Sequence, residues 1–177
     1  MNSRGRKPTE TKADQQPATP KGLNRRQKAM STYTQICYHI VFSTKNREPV
    51  LRVTGREDLF RYLWGLIKNQ GCHLYRINGV EDHIHVLTSL HPTVALADFV
   101  KDLKLASSHW IQENHVFPNF SHWQDGYGAF THSNAEKDRI AEYIMGQVEH
   151  HKKFSFHEEL RKLLVEAGVK FDETRLL

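Results

Sequence analysis

The hydrophobic pattern divides most of the chain into strands of period two and helices of period 3.6. Over residues 33–44, Ile36, Tyr38, Ile40 and Phe42 alternate with Cys37, His39, Val41 and Ser43. This predicts a strand with one strongly apolar face. Residues 45–49 read as a loop. Thr54 opens a helix, with Thr54 and Glu57 at capping-box spacing and Leu59, Leu63 and Ile67 on one stripe beside Phe60 and Trp64. Gly71 stops it. Residues 72–80 form a second strand. The Asn78-Gly79 turn signal joins it, as a hairpin, to a third strand over residues 81–87.

Pro92 and Thr93 end that strand and cap a second helix, whose Leu96, Val100, Leu103, Ser107 and Trp110 share a face. A polar, aromatic loop over residues 114–125 leads to a fourth strand over residues 126–131, whose glycines suggest an edge. Ser133 and Glu136, again at capping-box spacing, open a third helix that runs to about His151. Ile140, Ile144 and Val148 are its buried stripe. Tyr143, Gln147 and His150 make the stripe beside it. Ser155 and Glu158 open a last helix, with Leu160, Leu163 and Leu164, which ends at Gly168. The order strand, helix, strand, strand, helix, strand, helix, helix is that of an α+β sandwich, ferredoxin-like or RRM-like, built on one mostly antiparallel sheet.

Composition adds a boundary. The 177 residues suffice for one domain with a real core. Residues 1–30 read as a disordered tail, with Pro8, Pro17 and Pro20 among Lys, Arg, Thr, Gln and Asn; residues 31–177 read as the domain. The net charge is +5, but the tail holds eight of the 25 basic residues and two of the 20 acidic ones, leaving 17 against 18 elsewhere. Nucleic-acid binding by the folded part must therefore rest on local residues rather than on overall charge. Arg4, Arg6, Arg25 and Arg26 in the tail are candidates for non-specific phosphate contacts, and a solvated leader is the alternative. Lys101 and Lys104 on the second helix are further candidates, against a solvated face with Asp/Lys pairs. Cys37 and Cys72 have no metal or redox spacing and read as buried, reduced thiols. With neither a membrane span nor the apolar core of a signal peptide, the expected location is the cytoplasm.

The chemistry centres on Glu81-Asp82-His83-Ile84-His85-Val86-Leu87. Strand alternation puts His83 and His85 on one face, where two imidazoles can close on one divalent cation, while Ile84 and Val86 enter the core. Two ordinary histidines on a half-exposed strand are the plainer reading. His39 shares their side or is a core-edge histidine, and the second is favoured. If the third helix crosses the histidine face, Gln147 offers an amide oxygen as a third ligand and Tyr143 stands one turn away. A free phenol is a poor nucleophile at neutral pH, and a nearby cation stabilises its phenolate and withdraws charge from a phosphoryl oxygen.

At these residues the chain resembles the single-tyrosine HUH (His-hydrophobic-His) transposases, which move insertion sequences as single-stranded DNA, and the related enzymes tied to repetitive extragenic palindromes. The resemblance runs from about Ser31 onward. It rests on Tyr38-His39-Ile40-Val41-Phe42-Ser43-Thr44-Lys45, Asp82-His83-Ile84-His85-Val86-Leu87, Trp123-Gln124-Asp125-Gly126-Tyr127-Gly128-Ala129-Phe130, and Tyr143-Ile144, Gln147 and His150-His151. It implies a sheet with helices packed on one face and a C-terminal catalytic helix. It implies that His83, His85 and Gln147 hold a metal, that Tyr143 is the nucleophile, and that a homodimer acts on single-stranded DNA with hairpin ends. Cleavage would leave a 5′-phosphotyrosine and a free 3′-OH. Imidazoles alone favour Zn²⁺, whereas the family points to Mg²⁺ or Mn²⁺. Gly146 stands where many members carry Asn, and it lowers helix propensity between Tyr143 and Gln147. The competing expectation is a non-catalytic hairpin-binding module on the same sheet, whose histidines and aromatics stack on bases.

The tail is expected to add salt-sensitive, sequence-independent affinity. Deleting residues 1–30 should flatten the salt dependence of DNA binding and leave any cleavage position unchanged, measured by titrations at several salt concentrations beside mapped products.

Overall fold

The structure is a computed structural model, and it describes residues 33–176. Arg4, Arg6, Arg25 and Arg26 lie outside the described residues. Strands β1 (Cys37–Ser43), β2 (His73–Gly79), β3 (His83–Ser89) and β4 (Gly128–His132) form one antiparallel sheet in the order β2-β3-β1-β4. Helices α1 (Val53–Asn69) and α2 (Leu96–Glu113) connect the strands. After β4 come α3 (Lys137–Met145), the single turn α4 (Gln147–His150) and α5 (Phe156–Glu166). The fold is the α+β class and element order that the periodicity predicts.

Alternation along β1 and β3 sorts the sheet into two faces. Ile40, Phe42, Ile84 and Val86 point to one side and meet Leu59, Leu63 and Ile67 of α1 and Phe99, Val100, Leu103 and Ile111 of α2. This is the main core. Trp123 closes it, with its ring edge-on to Phe42 at 4.8 Å between centroids. Its indole Nε1 donates to Ser107 Oγ at 2.9 Å, and Ser107 in turn donates to the Leu103 carbonyl at 2.6 Å. Ser107 is thus the polar member of a buried stripe because a buried indole N–H needs an acceptor.

The other face of the sheet carries two smaller clusters. Cys37 and Leu87 pack on Ile140 and Ile144 of α3, while Val41 and Phe130 pack on Phe156 and Leu160 of α5. Helices α1 and α2 therefore cover one face and the C-terminal helices cover the histidine-bearing one. Both cysteines are buried and free.

Several boundaries move from their predicted places. Thr54 does not cap α1: the first turn holds a kink at Thr54 and Gly55, and the N-cap Arg52 makes no side-chain cap. Gly55 has φ +105°, and a Cβ there would lie 2.6 Å from Val116 Cγ1, so the approach of the residue 116–117 segment dictates the kink. Thr93 does not cap α2 either. Its hydroxyl is paired with His91 Nδ1 at 2.8 Å, and the helix begins three residues later. The first strand starts at Cys37, leaving Ile36 exposed, and β4 starts at Gly128 rather than residue 126. The Ser155 capping box forms as predicted, with both reciprocal bonds present.

The β2–β3 hairpin is tightest at Gly79. A Cβ at this position would fall 2.3 Å from the His83 carbonyl oxygen and 3.0 Å from Ile84 Cα, both backbone atoms. Gly65 on α1 has nothing within 4 Å of its Cβ position. Gly79→Ala should destabilise the fold by about 1–3 kcal/mol through forced backbone displacement. Gly65→Ala should stabilise it by up to about 1 kcal/mol through helix propensity. Urea midpoints of the two variants against the parent chain check both signs.

Candidate active site

His83 and His85 lie on the same face of β3, as strand alternation requires, and both are fully buried. Register with β1 sets Ser43 opposite His83, Val41 opposite His85 and His39 opposite Leu87. His39 is therefore the diagonal neighbour of His85 on the shared face. It is a fully buried partner rather than a core-edge residue. Its ring stacks on His85 at 5.1 Å and 26°, and its Nε2 lies 2.9 Å from His85 Nδ1. On His83, Nδ1 lies 2.6 Å from Asp82 Oδ1. A carboxylate accepts only, so His83 Nδ1 donates. Each ring of the pair is thus anchored through Nδ1, and each Nε2 is buried without a geometrically formed hydrogen bond.

Tyr143 and Gln147 approach this face from the C-terminal side. They do not share one helix. Helix α3 ends at Met145, Gly146 follows as its C-cap, and Gln147 starts α4. Asn78 of β2 donates through Nδ2 to the carbonyls of Ile144 at 2.9 Å and Met145 at 3.0 Å, satisfying the helix end from across the sheet. Gly146 itself has φ −77°, and a Cβ there would meet only ordinary contacts at 3.6 Å. The break thus accompanies a tertiary cap and a low-propensity residue, and glycine is not sterically required. Its consequence is a change of facing: Gln147 is fully buried, whereas Val148, expected on the buried stripe, is 48% exposed.

The group that ties these residues together is Glu159 of α5, at 2% exposure. One of its oxygens, Oε2, lies 3.3 Å from His85 Nε2, 3.4 Å from His83 Nε2 and 3.1 Å from His151 Nε2. The other, Oε1, accepts a very short hydrogen bond from the Tyr143 hydroxyl and a 2.9 Å bond from Gln147 Nε2. Gln147 Oε1 lies 2.9 Å from His151 Nε2. Pattern reading missed Glu159 because an acid in the first turn of a helix has an ordinary explanation in the helix dipole. The available signal is its phase: Glu159 lies three residues after Phe156 and one before Leu160, on the buried stripe itself. His151, quoted only as part of a motif, reaches the site because the chain turns after α4.

The electrostatics follow from burial and from this carboxylate. Burial works to raise the Glu159 carboxyl, but the His151, His83 and His85 imidazoles around it outweigh burial and hold the group ionised. The Tyr143 phenol is pushed up, first by burial and then by the adjacent Glu159 charge, so it is a bound proton donor here. Burial lowers His85 to about 4, keeping it neutral at neutral pH. Burial also works to lower His83, but its bond to Asp82 and the nearby Glu159 charge prevail and raise it. The two imidazoles differ because only His83 has a carboxylate on Nδ1. Burial holds His39 well below the usual range.

The remaining expected site residues fall elsewhere. The Lys104 ammonium donates to the carbonyls of Gln124 and Gly126, where it pins the loop before β4. Lys101 is exposed and paired with Asp98 at 3.0 Å. Tyr127 packs against the main core, away from the histidines.

The histidine–carboxylate cluster has the chemistry of a cation site. One ligand atom from each of His83, His85, His151 and Glu159 lies within 4.8 Å of all the others. His83 and His85 present Nε2 atoms without a hydrogen bond and are held from behind through Nδ1, the arrangement found where histidine binds metal. Gln147 meets this cluster through Glu159 Oε1 and His151 Nε2.

Known proteins similar to this chain are transposases. ISDra2 transposase TnpA of Deinococcus radiodurans is 29% identical over 118 residues, which cover 64% of this chain and 84% of that protein. The crystal structure of a candidate transposase of Deinococcus radiodurans superposes with a TM-score of 0.53 at 28% identity, covering 68% of this chain and 97% of the other. A REP-associated tyrosine transposase bound to a REP hairpin also has a TM-score of 0.53, at 15% identity, covering 81% and 93%, and shows the shared fold. Residues 32–147 match the IS200-like transposase family, well over half of the chain, and the protein belongs to that family.

Proposed function

We propose that this transposase cleaves and rejoins single-stranded DNA at insertion-sequence ends through a 5′-phosphotyrosine intermediate on Tyr143. A Mg²⁺ or Mn²⁺ ion would be held by His83, His85 and Gln147. The observation that carries the reading is convergence: the Tyr143 hydroxyl and both Nε2 atoms of the histidine pair meet on one carboxylate. The fit to a cation rests on the unpaired, buried Nε2 atoms of His83 and His85.

The residues divide the work. Asp82 and His39 hold the two imidazoles through Nδ1, so that Nε2 faces the reacting group. Asn78 fixes the end of α3 and with it the position of Tyr143. Tyr143 Oη attacks the scissile phosphorus, the bond from phosphorus to the 3′ oxygen breaks, and the 3′ oxygen leaves as a hydroxyl after taking up a proton. Rejoining reverses the step with a 3′-OH as nucleophile. Before attack the phenol must lose its proton, and the neighbouring Glu159 carboxylate opposes the charge that this would leave. A divalent cation supplies the countercharge and polarises a phosphoryl oxygen.

Hairpin-ended single-stranded DNA is the proposed substrate, supported by the hairpin held by the structural neighbour. Phosphate contacts would come from Lys101 and from Arg4, Arg6, Arg25 and Arg26. Lys104 would act indirectly, by holding the loop. A homodimer working in the cytoplasm on DNA is the proposed setting. Among the described residues no helix is long and apolar enough to cross a membrane.

Tyr143→Phe keeps the ring and its packing and removes only the attacking oxygen. It should abolish the denaturant-stable protein–DNA adduct formed with hairpin single strand and Mn²⁺, while hairpin binding survives. An adduct that persists in the Phe variant moves the nucleophile elsewhere. If the parent chain never forms one, a non-catalytic hairpin-binding role follows. Independently of DNA, His85→Ala should weaken Mn²⁺ binding about 10-fold or more. Calorimetry showing unchanged affinity removes the histidine pair from the metal assignment.

A further inference from the structure

Glu159 lies beyond the residues that match the family, which end at Gln147. We propose that it is a direct protein ligand of the metal held by His83 and His85, so that the last helix completes the site. This inference rests on the metal assignment above and adds a donor to it.

Three observations carry it. The first is spacing. Adjacent ligands about 2.0–2.2 Å from a common cation sit about 2.8–3.6 Å apart at octahedral or tetrahedral angles. Glu159 Oε2 lies 3.3 Å from His85 Nε2, 3.4 Å from His83 Nε2 and 3.1 Å from His151 Nε2. The second is unused donor capacity. The Nε2 atoms of His83 and His85 face Oε2 without hydrogen-bond geometry, although both are fully buried. Two buried imidazole nitrogens and a carboxylate oxygen gathered at one point, with no hydrogen bond formed between them, are the donor set that a cation takes. The third is charge. Glu159 is buried with its carboxylate among imidazoles, an amide and a phenol, and among the described residues no Lys or Arg side chain is bonded to it. A buried carboxylate is retained where a countercharge or a metal meets it.

The added donor changes the kind of metal. Two imidazoles alone suit Zn²⁺, and a carboxylate oxygen beside the Gln147 amide oxygen moves the site toward Mg²⁺ and Mn²⁺. It also links metal and nucleophile through one group. Oε2 would face the cation, while Oε1 keeps the Tyr143 hydroxyl and the Gln147 amide in place. Helix α5 would then act as the clamp that brings both together, positioned by its Ser155 cap and by Phe156 and Leu160 in the sheet face.

Glu159→Gln tests the ligand role without large loss of volume. Mn²⁺ titrated into the full chain without DNA, by calorimetry and by the loss of free Mn²⁺ signal in paramagnetic resonance, should show affinity at least about 10-fold weaker than the parent's. Affinity that is unchanged, or tighter, overturns the inference: the carboxylate would then be a plug that competes with the metal. His85→Ala in the same series separates the two claims. If His85→Ala weakens binding and Glu159→Gln does not, the metal site stands and only the Glu159 assignment falls. If the Gln variant fails to fold, Mn²⁺-soaked crystals of the parent chain decide the matter through anomalous scattering. A metal–Oε distance of about 2.0–2.3 Å supports the proposal, and a carboxylate beyond coordination distance overturns it.

Discussion

A carboxylate at 2% exposure must be met by donors from every side, and in this protein that demand organises the C-terminal half. Glu159 draws His83 and His85 from the sheet, Tyr143 from α3, Gln147 from α4 and His151 from the turn after it. From His83 to Glu159 the cluster spans 77 residues of sequence. Removing the carboxylate leaves several buried donors unpaired together, so α5 is bound to the sheet by polar chemistry as well as by Phe156 and Leu160.

The sheet supplies the rigidity that such a cluster needs. β3 is an interior strand, paired with β2 and β1 along its length, and its histidines cannot shift without moving both neighbours. The main core lies on the opposite face, so Ile84 and Val86 lock β3 while His83 and His85 stay available. Gly79 sits where the hairpin passes closest to the His83 carbonyl. Support behind the imidazoles comes from two different places. Asp82 is adjacent in sequence and His39 lies one strand away, so the two rings are held independently, and the Asp82 carboxylate makes His83 Nδ1 the donor.

The break at Gly146 shows how a local weakness becomes a structural feature. A continuous helix would align Tyr143 and Gln147 on one stripe with Val148 inside. Asn78 instead caps the helix at Ile144 and Met145, and the chain restarts at Gln147 with a different face buried. The phenol and the amide still reach the same carboxylate, but from two segments rather than from one.

Periodicity by itself determined the element order, the antiparallel sandwich, and the shared face of His83 and His85, because strand and helix periods are local properties of the chain. It also placed Leu59, Leu63, Ile67, Ile140 and Ile144 inside, and the motif blocks pointed to the family that residues 32–147 match. Tertiary structure alone decided the rest. Thr54 and Thr93 have capping sequences, yet Gly55 is kinked by a distant segment and the Thr93 hydroxyl is taken by His91. Lys104 looks like a free cation in sequence and is committed to two loop carbonyls. His39 changes from an ordinary strand histidine to a ring partner only when β1 and β3 come into register. Glu159 is the clearest case. It stands beside Glu158 in the same first turn, and only its helical phase separates the two: Glu158 caps its own helix while Glu159 enters the site. The difference is which side of α5 the sheet covers, and only long-range packing sets that.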